Sequence, residues 1–74
     1  MKMQQIEHVK DCRELMQESA DKANLTVVID EYMENNNLIV EIKLRDKDGY
    51  LITKSYGDVG FILGFIRGYM YKTA

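Results

Sequence analysis

Acid–base, nucleophilic or metal chemistry needs side chains that titrate, attack or ligate, and this chain offers few of them. It has one histidine, His8, and one cysteine, Cys12. Together they fall short of the ligand set that a structural zinc site takes, and a lone cysteine cannot form an internal disulfide. His8 stands near Glu7 and Asp11 at the start of an amphipathic stretch. With no second histidine to share a metal or a proton, it is read as a solvated surface residue. Cys12 falls within an apolar stripe, where a thiol behaves as a small buried hydrophobe rather than a reactive thiolate. The acids Asp30, Glu31 and Glu34 lack the ligand spacing and glycine turn of a calcium loop and are read as solvated charge. Asp46-Lys47-Asp48-Gly49 opens like such a loop, but no glutamate closes it at the right distance, which leaves turn chemistry. No catalytic, cofactor-binding or metal-binding residue is expected, and the chain is read as a protein that is not an enzyme.

The spacing that does need an explanation is Gly60, Gly64 and Gly68, three glycines four residues apart in a segment otherwise rich in Phe, Ile and Tyr. If that segment is a helix, each glycine costs roughly 0.8 to 1 kcal/mol relative to alanine. At 100° per residue Val59, Ile62, Leu63, Ile66 and Met70 gather on one side, and the glycines lie roughly opposite. Phe61 and Phe65 flank the stripe, with Tyr71 on its other rim. Small residues at this spacing let two backbones approach closely. The first helix of the same chain could fill the groove, or the glycines could let the helix nestle on a sheet. Alternatively a second copy, a different protein or an apolar ligand occupies it. The reading taken forward is a two-fold contact through Gly60, Phe61, Gly64, Phe65, Gly68 and Tyr71, since isologous dimers are the commonest soluble oligomers.

The elements that must position these residues follow from periodicity. From Gln4 to Ala23, Ile6, Val9, Cys12, Met16, Ala20 and Ala23 recur every three or four residues, which predicts one helix with an acidic outer face. Lys10 with Glu14 and Glu18 with Lys22 are spaced to pair along it. Asn24 suits its exit. A first strand is expected over Leu25 to Met33, with Leu25, Val27, Ile29 and Met33 on one side, then a hairpin loop over Glu34-Asn35-Asn36-Asn37. The second strand alternates cleanly, Leu38, Val40, Ile42 and Leu44 against Ile39, Glu41, Lys43 and Arg45, so one face is core and the other wet. Asp46 to Gly49 is read as a type I turn followed by a left-handed glycine, and Tyr50 to Tyr56 as an antiparallel third strand of irregular alternation. Asp58 is placed to cap a final helix running to about Lys72. The fold class is therefore α+β, ordered α-β-β-β-α, a three-stranded antiparallel meander packed against two helices in one domain over residues 1–74.

Composition bounds the rest. Ten basic against twelve acidic residues give a charge of −2, which argues against a dominant phosphate-binding surface, and a 46% hydrophobic content is too high for a disordered tail. The longest apolar stretch, Val59 to Ile66, is far short of the roughly 20 residues that span a bilayer, and the N-terminal residues lack a secretory apolar run. With no disulfide framework, a cytoplasmic location is expected. A chain this short rarely nets more than roughly 3 to 5 kcal/mol from its core, so a partner chain is a natural supplement.

Helix, three antiparallel strands and helix is similar in element order to the double-stranded RNA-binding domain, over nearly the whole chain. In that family lysines opening the second helix grip phosphates, whereas Gly57-Asp58-Val59-Gly60-Phe61 holds that place here and the first helix presents acids. Nucleic-acid binding would have to use Lys43, Arg45, Lys47 and Lys54 on the second hairpin instead, and is a secondary expectation. Size, acidity and element order also look like small phage or mobile-element accessory proteins, including some anti-CRISPR inhibitors. That resemblance implies binding of a host protein through an acidic face. A small-ligand site would be expected at the Phe61 and Phe65 groove.

Overall fold

The computed structural model describes the backbone of residues 2 to 73 and the side chains of residues 7 to 71. Three strands, β1 (Thr26–Glu34), β2 (Asn37–Arg45) and β3 (Leu51–Tyr56), form an antiparallel meander in the order β1-β2-β3. Two helices, α1 (Lys2–Asp11) and α2 (Arg13–Lys22), precede the sheet, and α3 (Val59–Thr73) follows it. The α+β class and the meander are those expected.

The single N-terminal helix expected from the apolar stripe is instead two, joined at Cys12. That residue has φ −92° and ψ 1°, outside the helical basin. Helical hydrogen bonds nevertheless run across the joint. The Cys12 N–H donates to the His8 carbonyl at 3.1 Å, and the Met16 N–H donates to the Cys12 carbonyl at 2.9 Å. No proline or glycine sits there. Val9 and Met16, one on each side of the break, are both completely buried, α1 meeting β2 while α2 meets β1 and α3. Lys10, across the break from Glu14, pairs with Glu31 of β1 at 3.2 Å instead. Glu18 and Lys22 make no ion pair among the described residues.

Asn24, with φ 60°, ends α2 as expected. The Leu25 N–H reaches back to the Ala20 carbonyl at 2.8 Å and the Asn24 N–H to the Asp21 carbonyl at 3.1 Å, which satisfies those two carbonyls of the last turn. Asn35 and Asn36, at φ 50° and 63°, form a two-residue hairpin turn that twists with its strands. The strands therefore reach further into the expected loop, and Glu34 pairs with Asn37. At the second hairpin Asp46 Oδ1 accepts the N–H groups of Asp48 and Tyr50, both at 2.9 Å, and Gly49 takes the left-handed conformation at φ 89°. The irregular alternation of β3 is a bulge: Leu44 pairs with Thr53 and Arg45 with Leu51, leaving Ile52 extra.

All helices lie on the β2 face that carries Val40, Ile42 and Leu44. These bury against Val9, Met16, Ala20, Val59, Ile62 and Ile66. Two strand expectations need correction. Met33 is 65% exposed at the far end of the hairpin, and Glu41, expected on the wet face, is buried at 7%. The edge of β1 is partly occupied, because Gln17 Oε1 of α2 accepts the Val27 N–H at 3.3 Å.

Met16 is fully buried where α2 meets the sheet. Truncation to alanine there should cost about 2 to 5 kcal/mol. Urea unfolding should show Met16→Ala with a much lower midpoint and an unchanged slope.

Candidate protein interface

Asp58 sets α3 in place. Its Oδ1 accepts the Phe61 N–H at 2.9 Å, and its carbonyl accepts the Ser55 hydroxyl at 3.1 Å, fixing the helix start to the end of β3. From that start the helical period turns Val59, Ile62 and Ile66 into the core, where they are buried, and all three stripe glycines outward. A Cβ built on Gly64 or Gly68 meets no atom within 4 Å, and one on Gly60 meets only Asp58 Oδ1 at 3.5 Å. Neither of the intrachain readings of the stripe survives this geometry. The N-terminal helices do not lie in the groove, and the glycines do not face the sheet.

The other residues assigned to the interface gather on this outer surface to different degrees. Phe61 is 47% exposed and Tyr71 79%, whereas Phe65 is half-buried with its ring against the core. Phe61 and Phe65 contact each other, ring centroids 6.2 Å apart and tilted by 38°. A small-ligand reading places a pocket between them. A groove of about 520 Å³ opens instead on the opposite flank of α3, between it and α2, floored by Leu63, Ile66 and Met70 and rimmed by Leu15, Lys22 and Arg67.

The uncovered face of the sheet carries the second concentration of charge. Asp30, Glu41 and Tyr56 lie in one cross-strand row, with Lys43 and Lys54 in the next. The Lys43 ammonium sits 3.0 Å from Asp30 and 3.4 Å from Glu41, and Lys54 sits 3.5 Å from the other Glu41 oxygen. Glu41 is thus buried beneath its own countercharges. The hydrogen bond and charge of Asp30, then those of Glu41, hold the Lys43 pKa above its ordinary value against partial desolvation. Lys54 is raised first by its hydrogen bond and charge interaction with Tyr56, then by Glu41, and its ammonium lies 5.8 Å from the Tyr56 ring centre. Tyr32 is raised by desolvation first and then by the Glu41 charge. Arg45 donates Nη1–H to the Gly49 carbonyl at 2.9 Å. Of the four cations expected to carry a nucleic-acid surface, then, three are engaged within the chain and Lys47 remains.

His8 is exposed and Cys12 half-buried against the core. Among the described residues no three of His, Cys, Asp and Glu gather as a metal-holding group, and no helix is long and apolar enough to cross a membrane. The fold and this surface define a small α+β domain whose three helices share one face of an antiparallel sheet. Compared with protein-family models, curated proteins and solved structures, the chain shows no significant match.

The raised groups on the open sheet face fix a pH dependence. Each keeps its proton longer folded than unfolded, so its contribution is complete below the unfolded value and is lost as pH rises through the folded one. Stability should therefore be level up to about pH 10 and fall above it. Urea midpoints from pH 8 to 11.5 should show this fall, and it should flatten in Lys43→Met and Lys54→Met.

Proposed function

We propose that this is a non-enzymatic protein-interaction domain that self-associates through the outer face of α3, acting in the cytoplasm. The observation that carries this reading is the empty space over Gly64 and Gly68. Three helical glycines forgo about 2.5 to 3 kcal/mol of helix propensity, and no contact among the described residues uses the room over Gly64 and Gly68. A second α3 laid across the stripe does use it, its backbone approaching where side chains are missing and Phe61 and Tyr71 closing over the crossing. The stripe from Gly60 to Gly68 is about 12 Å long. A helix crossing of that length lies at the small end of stable interfaces, so a concentration-dependent dimer is the expected form.

Two other readings find less support. A nucleic-acid surface on the second hairpin has to compete with Asp30 and Glu41 for Lys43 and Lys54. An acidic docking face has exposed Glu7, Glu14 and Glu18 along α1 and α2, but Asp21 there is bonded to Gln17 Nε2 at 2.7 Å.

Light scattering across a concentration series should give a mass approaching twice 8.6 kDa. Gly64→Leu should return the mass to a single chain without lowering the stability of that chain, because a Cβ at this position has open space around it. A mass of one chain at every concentration, or a dimer untouched by Gly64→Leu, would sink the proposal. In the dissociated state Gly68→Ala should raise stability by about 0.8 to 1 kcal/mol, the propensity difference alone, measurable by dilute urea unfolding.

A further inference from the structure

The groove between α2 and α3 differs in chemistry from the glycine stripe beside it. We propose that it binds an amphipathic carboxylate, a medium-chain fatty acid, with its tail along the floor and its head between Lys22 and Arg67. Nothing in this inference depends on self-association.

Three observations carry it. First, the volume of about 520 Å³ lies within the range of small-molecule sites, which are mostly apolar with a few convergent polar groups. Second, the groove has a direction. The ends of α2 and α3 meet, since Lys22, Ala23 and Asn24 share a second cavity with Tyr69 and Met70, so the two helices run parallel. Leu15 and Leu63 therefore lie toward one end of the groove and Lys22 toward the other, with Arg67 one turn before the Tyr71 end. From Leu63 to Tyr71 the helical rise spans about 12 Å, the reach of a medium chain rather than of a bare anion. Third, the cations carry no carboxylate partner. Among the described residues no carboxylate lines this groove and neither Lys22 nor Arg67 has an ion pair, although Lys22 also borders the adjoining cavity with Asp46 and Asp48. Of the six other lysines and arginines among the described residues, Lys10, Lys43 and Lys54 face carboxylates. A lone small anion is poorly served here, because two helix C-termini bring partial negative charge to the same end. Affinity has to come from burying a tail, with the cations setting its orientation.

The experiment is an NMR titration of the full chain with decanoate below its micelle-forming concentration, with decanol and acetate in parallel. Decanoate should produce saturable shifts at Leu15, Ser19 and Leu63, decanol should bind at least tenfold more weakly, and acetate should leave these signals in place. The double variant Lys22→Gln with Arg67→Gln should lose at least tenfold in affinity at a temperature where circular dichroism shows it fully folded, its melting temperature falling only slightly with the loss of Lys22 from the last turn of α2. Leu15→Glu, also at an exposed position, should block the tail and abolish binding. Decanol binding as tightly as decanoate, shifts confined to other surfaces, or indifference to both variants overturns the proposal. So does movement of the Leu15 and Ser19 signals with protein concentration alone, which would place a second copy in the groove.

Discussion

The alternation of β2 governs the molecule. Val40, Ile42 and Leu44 point to one side of the central strand and Glu41, Lys43 and Arg45 to the other, so an apolar floor exists on one face only. Every helix must use that floor. On the N-terminal side Val9 and Met16, seven residues apart on one helical stripe, both bury against it from either side of the break at Cys12. The orientation of α3 follows from it. Once Val59, Ile62 and Ile66 take the floor, the glycines have nowhere to face but outward.

The two surfaces left over are finished differently. On the open face of the sheet, two carboxylates and two ammonium groups neutralise one another closely enough to bury Glu41. Exposed β1 carries Asp30, Glu31 and Glu34 near its free edge, and Gln17 occupies the Val27 N–H. Charge and a side-chain cap of this kind discourage strand-to-strand association. The outer face of α3 has no comparable finish, offering backbone, Phe61 and Tyr71.

What the sequence made legible was whatever is encoded locally. Asn24, Gly49 and Asp58 announced a helix exit, a turn and a cap through their own conformational preferences, and each is where it was expected. The outward direction of the glycines needed only the helical period. The rest depended on chain segments far apart. Glu41 looks wet by alternation and is buried only because Lys54 arrives from β3 and Asp30 lines the row from β1. The bulge at Ile52 surfaced as broken alternation without revealing which residue was extra. Cys12 carries no local signal for a break in the helix, with neither proline nor glycine beside it. The cavity was expected by Phe61 and Phe65, but Phe65 turns inward and the space between α2 and α3 opens on the other flank.

The parallel seam between α2 and α3 also bears on how the chain assembles. Strand pairing in a meander joins near neighbours in sequence, and each hairpin closes over a short turn. The seam brings together residues from the two ends of the described chain, so it carries a large loop-closure cost and ranks late in an order set by chain entropy. A three-stranded ribbon without its helices has no covered face and little independent stability. Closing the seam is therefore the step that makes folding cooperative. Its transient opening would bare Ile62 and Ile66 while leaving both hairpins zipped.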